Sequence, residues 1–404
     1  MKSVLTKLGL PTTARGWHSW VGMLFLFILM FIFVTGTLSV FSREIDWIVT
    51  AEQRVAVQPA GKGSFGAVYD AVDAAYPKAR QLAILRPSGA RFADQVTITS
   101  PGQGTSLVYV DPYEAKVQGA GTIYTIQRTL RELHRGLSSE DRKVQLLVAL
   151  LAAPLAIMLV TSLMLHRHFY RSLLRFPRKG ARRRAILSDL HRLIGAWSIV
   201  FMTVVVLTST EFMIEILGFG PTFYPSYKVA PEAGVPALPE GFDGASLDLA
   251  VSKARDVYPG LDVSDIALPA EAGDPLAIRG ALSAALVRTS ANSVNFDPET
   301  LALRGAYRAE TSGTPLRVFE AVRVIHYGSF GGLTTRILWL IFGLGESVLL
   351  ALGALIFAER LTFMAERSDK MPSRSRTAHI WTGMGVGKWV GLVAVFAAAW
   401  WTLT

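Results

Sequence analysis

Four of the seven histidines stand beside apolar runs long enough to cross a membrane, and they fall into two kinds of motif. His18 and His191 each begin a His-x-x-x-Gly sequence, whereas His134 and His326 each begin a His-x-Gly sequence. His134 follows His18 by 116 residues and His326 follows His191 by 135 residues, which indicates a duplicated unit. Equivalent positions in two duplicated halves can face each other across a pseudo-two-fold axis. Two opposed neutral imidazoles are what axial coordination of a haem iron requires.

We therefore predict two haem sites, one near each surface of the membrane. His18 and His191 form what we call the inner pair, and His134 and His326 form the outer pair. The chain contains no cysteine, which excludes disulfides, iron–sulfur clusters and the covalent attachment of c-type haem, so both groups would be haem b. A hydrocarbon layer ~30 Å thick is too wide for one haem, whereas two haems could relay an electron across it.

Residues next to these histidines could complete the sites. The glycine four positions after His18 and after His191 lies on the same helical face and could leave room for the flat macrocycle, although close helix packing would require the same glycine. Arg135 and Arg192 each follow a histidine directly, and each could pair with a haem propionate or could only mark a membrane surface. Three further histidines near the inner surface compete for the inner iron but have no counterpart in the other half: His166, His168 and His379.

Acidic residues inside apolar runs are costly and therefore indicate a role. Glu346 stands in the middle of the run LWLIFGLGESVLLALG. It could carry a proton that compensates haem reduction, or it could hydrogen-bond a neighbouring helix while protonated. Glu211 and Glu215 lie one turn apart near the end of another run, where they could border the outer haem or could be solvated at the interface.

The composition is that of a membrane protein, because 51% of the residues are hydrophobic and only 18% are charged. Lys and Arg are concentrated in the first 17 residues and in residues 166–189, and short basic loops stay in the cytoplasm. The sequence therefore predicts a multi-pass protein of the bacterial inner membrane with a cytoplasmic N-terminus and a periplasmic C-terminus. The net charge of +10 then reflects topology and contact with anionic lipid rather than binding of nucleic acid.

Apolar runs at 20–41, 144–165, 193–217, 337–357 and 381–403 divide the chain into nine segments. These are an inner segment with the first span (1–41), a first periplasmic domain (42–143), a second span (144–165), a basic cytoplasmic loop (166–189), a third span (190–217), a second periplasmic domain (218–332), a fourth span (333–358), a second cytoplasmic loop (359–380) and a fifth span (381–404).

The two periplasmic segments repeat each other. Each contains an amphipathic helix that ends before a proline, Pro77 or Pro259, and a following strand. Each continues with two strands around an Asp-Pro turn, at Asp111 and Asp297, which predicts two small α+β domains. The sequence GKGSFGAV resembles nucleotide-binding glycine-rich loops, but no catalytic motif accompanies it. We interpret it as the segment leading into the first helix.

The chain contains the same order of segments twice: an inner histidine, a span, an α+β domain, an outer histidine and a second span. This order resembles the PepSY-associated transmembrane helix family over residues 15–358. HYGSFGG at 326–332 and DLHRLIG at 189–195 are the most specific parts of the resemblance. It implies an α-helical membrane protein with a pseudo-two-fold four-helix haem-binding bundle, a fifth span and two small α+β PepSY-like periplasmic domains.

The family includes inner-membrane reductases of ferric siderophores such as ferrioxamine. The resemblance therefore implies a transmembrane oxidoreductase that takes electrons from a cytoplasmic flavin or NAD(P)H reductase, or from a quinol. It would deliver them to a periplasmic ferric siderophore, of hydroxamate type, and release the iron as Fe(II). Candidate contacts for this substrate are aromatic, although aromatic belts at membrane interfaces look the same: Phe223, Tyr224, Tyr227, Tyr113 and Tyr327.

A solute transporter would need broken spans with polar midplanes, which only Glu346 indicates. Two further alternatives remain at this point. The first keeps haem b and changes the substrate to a quinol or another small molecule, with no role in iron uptake. The second is a membrane-anchored PepSY module without redox chemistry that regulates a peptidase or binds an envelope ligand.

Overall fold

The computed structural model describes residues 10–219, 237–367 and 375–403, and within them the chain forms two compact units. The helical unit contains residues up to 41, residues 129–220 and residues from 325 onwards. The sheet unit contains residues 42–128 and 221–324. Both halves of the chain contribute to both units.

In chain order the helices and strands are α1 (Ala14–Leu24), α2 (Leu26–Ser39), α3 (Ser42–Val49), α4 (Phe65–Ala75), β1 (Arg80–Leu85), β2 (Asp94–Ser100), β3 (Gly104–Asp111), β4 (Lys116–Thr122), α5 (Ile126–Gly136), α6 (Arg142–Ala149), α7 (Ala152–Leu165), α8 (Arg183–Ile216), α9 (Gly244–Val257), β5 (Asp262–Ala267), β6 (Leu276–Ala281), β7 (Asn292–Phe296), β8 (Leu303–Tyr307), α10 (Thr314–His326), α11 (Gly332–Ala365), α12 (Arg376–Gly383) and α13 (Gly387–Leu403).

Three helices of the described chain are long and apolar enough to cross a membrane. They are α6 with α7, α8, and α11, and the last two extend beyond the spans predicted from the sequence. The first and fifth predicted spans are not continuous helices: α1 and α2 meet at 69°, and α12 and Gly387–Trp400 meet at 87°. A φ of +54° at Gly385 explains the second break, because only glycine adopts this conformation without strain. Counted by length and composition, the described chain therefore has three spans, or five if each bent pair forms one span, and the five predicted spans stay a prediction.

The two bent pairs contact each other at their breaks. A Cβ atom added to Gly387, the first residue of α13, would overlap the carbonyl oxygen of Leu24 at the end of α1. A Cβ atom at Gly391 would lie 2.7 Å from the ring of Phe27. Glycine at these two positions therefore lets α13 approach the backbone of the first bent pair.

The sheet unit is built on one antiparallel sheet with the strand order β4-β3-β2-β1-β5-β6-β7-β8. Strands β1–β4 come from the first periplasmic segment and β5–β8 from the second. They join where β1 pairs with β5, with Ile84 opposite Ile266 and with Ala83 opposite Ala267. Two separate domains would each leave one of these strands as an open edge with unpaired backbone groups. The prediction of two small domains is thus corrected to one sheet shared by both halves.

Helices α4 and α9 cover one face of this sheet and bury an apolar core that includes Val68, Val72 and Leu247. They cross so closely at Gly66 and Gly244 that a Cβ atom on either glycine would overlap the carbonyl oxygen of the other. The crossing is reciprocal in its hydrogen bonds as well. The Gly244 amide donates to Asp70 (2.6 Å) and the Gly66 amide donates to Asp248 (2.8 Å).

The glycine-rich sequence GKGSFGAV leads into α4. The Ser64 hydroxyl caps the helix by accepting a hydrogen bond from the Ala67 amide at 3.1 Å. Lys62 donates to the carbonyl oxygen of Phe92 at 3.1 Å and lies 3.8 Å from the buried carboxylate of Asp94. The interpretation of this motif as a helix lead-in is confirmed.

Candidate functional site

The structure brings each of the two histidine pairs together inside the helical unit. The ring centroids of His18 and His191 lie 6.2 Å apart, and those of His134 and His326 also lie 6.2 Å apart. When two imidazoles bind one iron from opposite sides, each nitrogen lies about 2 Å from the metal and each ring centre about 1.1 Å further away, so the centroids are about 6.2 Å apart. Both pairs therefore have the spacing that a haem iron between them requires.

Hydrogen bonds fix the tautomer of both histidines of the outer pair. His134 Nδ1 lies 2.9 Å from the carbonyl oxygen of Ile32, which can only accept, so Nδ1 carries the proton. His326 Nδ1 lies 2.8 Å from the Thr208 hydroxyl, which already donates to the Val204 carbonyl at 2.8 Å. The hydroxyl therefore accepts from His326. In both rings the lone pair is left on Nε2, which is the arrangement found in metal-ligating histidines.

One histidine of the inner pair is held in the same way. His18 Nδ1 lies 3.2 Å from the Thr161 hydroxyl, which donates to the Ile157 carbonyl at 2.6 Å and so accepts from the ring. His191 differs, because its Nδ1 is buried with no hydrogen-bond partner among the described residues. Threonine hydroxyls thus orient one imidazole in each pair.

Burial keeps the outer pair uncharged. It lowers the pKa of His134, and it lowers the pKa of His326 to about 3, with the neighbouring His134 as a second cause. Both rings are then neutral at physiological pH. A neutral imidazole is the form that can donate a nitrogen lone pair to iron.

The outer histidines stand at the C-terminal ends of two helices of the repeat. His134 lies near the end of α5, whose first amides, those of Ile126 and Gln127, donate to the Asp46 carboxylate at 2.7 and 2.9 Å. His326 is the last residue of α10. A carboxylate at a helix N-terminus accepts hydrogen bonds from the free backbone amides and interacts favourably with the positive end of the helix dipole. Asp46 therefore anchors the helix that presents His134.

The sequence HYGSFGG forms the tight turn after His326. Gly328 and Gly332 have φ angles of +68° and +62°, which favour glycine. The Thr335 hydroxyl donates to the Gly328 carbonyl at 2.6 Å, and the Trp339 indole donates to the His326 carbonyl at 3.1 Å. A Cβ atom at Gly328 would lie 2.6 Å from the Trp339 ring. The glycines of this motif thus close the turn that fixes His326.

Gly36 on α2 provides the space for His134. A Cβ atom there would lie 2.6 Å from Cε1 and 2.8 Å from Nδ1 of the imidazole. The sequence pattern instead predicts this role for the glycines that follow the inner histidines, Gly22 and Gly195. A Cβ atom at Gly22 would instead meet the Met158 methyl group at 3.7 Å, whereas Gly195 does line the cavity beside the inner pair. Gly36 was missed because no local motif connects it with His134.

The inner pair borders a mainly apolar cavity of about 180 Å³ in the helical unit. Its walls come from both halves of the chain, with Phe33 and Leu155 from the first half and Ile199 and Leu350 from the second. An apolar cavity lined by two imidazoles suits a flat macrocycle with an apolar body. Apart from the two histidines, the polar residues that line it are Ser162, His166, Ser172, Arg192, Ser198 and Glu346.

Arg192 is held at the wall of this cavity by Asp189. The Asp189 side chain is 1% exposed. Its carboxylate accepts a hydrogen bond from Arg192 Nη2 at 3.0 Å and another from Arg178 Nε at 2.9 Å. Arg192 Nε is buried without a partner, so the guanidinium keeps a donor for a further acceptor. Arg135, by contrast, is exposed and makes no hydrogen bond or ion pair within the described residues. The structure therefore favours Arg192 over Arg135 as a contact for a propionate.

The three competing histidines occupy different places. His166 is exposed and lines the cavity beside the inner pair. His168 is exposed, with its ring 5.9 Å from that of Tyr170. His379 is buried on α12, its Nε2 has no partner, and it does not line the cavity. Of the three, only His166 shares the space of the inner pair.

The aromatic residues proposed for substrate contact are only partly described. Phe223, Tyr224 and Tyr227 lie outside the described residues. Tyr113 belongs to the sheet unit, and its hydroxyl donates to the Ala90 carbonyl at 2.8 Å. Tyr327 is 52% exposed, and its ring lies 6.1 Å from that of His326. Tyr327 therefore lies directly beside the outer pair.

The two pairs lie at different heights of α8. This helix carries His191 of the inner pair and, 17 residues later, Thr208, which binds His326, so the pairs are separated by about 25 Å along the helix. Aromatic rings occupy the space between these heights. Phe201 stacks on Phe342 with a centroid distance of 5.7 Å and contacts Trp339 edge to face at 5.5 Å.

A sequence model described as the PepSY-associated TM region matches residues 15–360. The chain belongs to this family. The matched region contains both histidine pairs, the whole sheet unit and most of α11. No curated protein is significantly similar to the chain. Family membership and the apolar helices together make it a multi-pass membrane protein of the PepSY-associated type.

Proposed function

We propose that this protein is a transmembrane reductase that holds one haem b between His18 and His191 and a second between His134 and His326. The observation that carries the proposal is the equal ring separation of 6.2 Å in both pairs. The Nδ1–H tautomers of His18, His134 and His326 support it, because they leave Nε2 free to bind iron.

Bound haem would supply a one-electron carrier at each height of the bundle. With two histidines to hold each haem, the group would supply electron transfer rather than binding of a gas or a substrate. Thr161 and Thr208 orient the imidazoles of His18 and His326, and mainly apolar side chains line the cavity beside the inner pair. Arg192 would pair with a propionate of the inner haem.

The electrons would pass from a cytoplasmic donor to a ferric siderophore in the periplasm. The orientation rests on the basic residues of 166–189, which adjoin the inner pair in sequence. The donor would be a flavin or NAD(P)H reductase, or a quinol. Reduction of Fe(III) to Fe(II) weakens its binding by hard hydroxamate oxygens, so the siderophore would release its iron.

The first test is an absorption spectrum of the purified protein after dithionite reduction. We expect bands of haem b and a haem content of two per chain. A protein that stays colourless after expression with ample haem precursor would contradict the proposal and favour a PepSY module without redox chemistry.

The second test identifies the oxidant. The reduced protein is mixed anaerobically with ferrioxamine or with a soluble quinone, and re-oxidation of the haem bands is followed. We expect ferrioxamine to re-oxidise both haems and a ferrous chelator to trap the product. Re-oxidation by quinone alone would instead identify a quinol oxidoreductase.

A further inference from the structure

We propose that Glu346 takes up a proton when the inner haem is reduced and gives it back when the electron moves on to the outer haem. The inference rests on the proposed function, because it requires a haem between His18 and His191. It assigns a role to a buried acid that axial coordination does not use.

Glu346 lies deep in the helical unit and faces the cavity of the inner pair. Its side chain is 3% exposed, and it lines the same cavity as His18 and His191. The Ser198 hydroxyl of α8 is its hydrogen-bond partner, and the second carboxyl oxygen, Oε1, is buried with no partner among the described residues. A carboxyl group with one unpartnered oxygen has spare capacity for a proton.

No cation of the described chain neutralises this carboxylate. Arg192, the one arginine in the cavity wall, pairs with Asp189 at 3.0 Å. The remaining titratable groups in the wall are His18, His166 and His191, and α2, which also packs on α11, contains no titratable residue. On α12, Arg376 pairs with Glu359, and His379 is buried but does not line the cavity. A charged Glu346 would therefore depend on the haem for a compensating positive charge.

The haem supplies that charge only in its oxidised state. A ferric haem with two neutral imidazoles carries one positive charge at its centre, and reduction removes it. Ser198 follows His191 by seven residues on α8, which places Glu346 about 10 Å from the height of the inner iron. At this distance one unit charge changes the proton affinity of a partly buried group by about tenfold.

The step balances in charge. One electron from the cytoplasmic donor enters the inner haem, and one proton from water converts the Glu346 carboxylate to the acid. His166, which is exposed and lines the same cavity, stands where water can enter. When the electron leaves for the outer haem, the acid returns its proton by the same route.

The test is a redox titration of the haem-loaded protein at a series of pH values. The midpoint potential of the inner haem should fall with rising pH, by up to about 59 mV for a tenfold difference in proton affinity between the two redox states. In Glu346→Gln the potential should become independent of pH over the same range. Glu359→Gln, on the same helix but paired with Arg376, is the matched control and should keep the wild-type slope.

Infrared spectroscopy gives a second readout that does not depend on the variant. The difference spectrum between reduced and oxidised protein, recorded with ¹³C-labelled glutamate, should show a carboxylic acid band that appears on reduction. Ser198→Ala should shift this band, because it removes the hydrogen bond to Glu346.

Three results would overturn the proposal, and they are distinguishable. If both haems bind but Glu346→Gln keeps the wild-type slope, Glu346 is not the proton acceptor and the reductase proposal stands. If the wild-type difference spectrum lacks the glutamate band, Glu346 is likewise not the proton acceptor. This result needs only the wild-type protein, so it holds even if the Gln variant fails to fold. A protein without haem overturns both proposals together.

Discussion

Threonine hydroxyls inside the apolar helices direct the imidazoles at both heights of the bundle. Thr161 and Thr208 each donate to a carbonyl of their own helix, so each has only a lone pair to offer to a histidine. This forces the proton onto Nδ1 of His18 and of His326. A threonine in a membrane helix usually needs no partner beyond its own backbone. Its contact with a histidine depends on packing against a second helix that is remote in sequence, so the sequence alone does not reveal it.

Removal of one outer histidine should remove one haem. If the outer pair holds a haem as proposed, His326→Ala would remove one of its two ligands, and we expect the haem content to fall from about two to about one per chain. The inner haem should remain reducible by the cytoplasmic donor. The measurement is a pyridine haemochrome assay together with a redox titration.

His168→Ala is the control for this variant, because His168 is exposed and lies outside both pairs. It should keep both haems. If His326→Ala also kept two haems with unchanged spectra, the assignment of the outer pair would be wrong.

The space at Gly36 should be as necessary as the histidine that fills it. In Gly36→Ala the new methyl group would lie 2.6 Å from His134 Cε1, so the imidazole must shift out of line with His326. We expect the outer haem to bind about 10- to 100-fold more weakly, as for other changes that misorient a metal ligand. Haem titration of the depleted protein measures this.

Gly22→Ala is the matched control on the same bent pair of helices. Its methyl group would meet only the Met158 side chain at 3.7 Å, an ordinary contact. Equal weakening of the outer site by both variants would contradict a specific role for Gly36.

At the scale of elements, the reciprocal crossing of α4 and α9 determines how the two halves of the sheet unit fit together. Each helix places a glycine against the backbone of the other and an aspartate four residues later that accepts from the opposite glycine amide. Backbone at such close range has no rotamers with which to make space. The crossing is therefore a rigid contact, and it should tolerate change less than a contact between side chains.

Gly66→Ala should destabilise the protein by about 1–3 kcal/mol, the usual cost of overpacking, because its Cβ atom would overlap the Gly244 carbonyl. Gly244→Ala should have a similar effect, since the contact is symmetric. Denaturant unfolding of the full chain in detergent measures both. Gly313→Ala is the control, as its Cβ atom would meet only Pro315 at 3.9 Å, and a loss of stability as large as that of Gly66→Ala would contradict this explanation.

The elements of the sheet unit could be predicted from local signals, whereas their arrangement could not. Helices α4 and α9 end before Pro77 and Pro259, and the strands around Asp111 and Asp297 form where the sequence indicates. Proline and Asp-Pro turns act within a few residues, so a single sequence reveals them. The pairing of β1 with β5 joins residues about 180 positions apart, and no local pattern encodes it.

The same distinction applies to the candidate site. The histidine pairs could be predicted because the duplication repeats their motifs at similar spacing. Gly36, the cavity and the bend between α1 and α2 could not, because each depends on contacts between helices that are remote in sequence. Arg192 and Arg135 are equivalent in the sequence, and the structure distinguishes them by the contact of Arg192 with Asp189, by its place in the cavity wall and by the exposure of Arg135.

At the scale of the whole molecule, the histidine pairs and the antiparallel sheet belong to different compact units. The helical unit holds both histidine pairs and the cavity, whereas the sheet unit has its own core built on β1–β8 with α4 and α9. Each unit is compact and has its own buried apolar cluster, so each can respond separately to a change.

Haem removal should therefore loosen one unit and not the other. A ligand present at a thousandfold excess over its dissociation constant stabilises the state that binds it by about 4 kcal/mol. Hydrogen exchange of protein expressed without haem precursor should rise in peptides from α1, α8 and α11 and should not change in β2 and β3. A rise of equal size in both units would contradict this separation.

The pseudo-two-fold axis of the sheet lies where Ile84 of β1 pairs with Ile266 of β5. An ancestor of half the length would have presented β1 as an exposed edge, and two such polypeptides could have assembled as a homodimer through this edge in the register that β1 and β5 now keep. The two halves of the present chain differ beside these histidines, because an arginine follows His134 and a tyrosine follows His326.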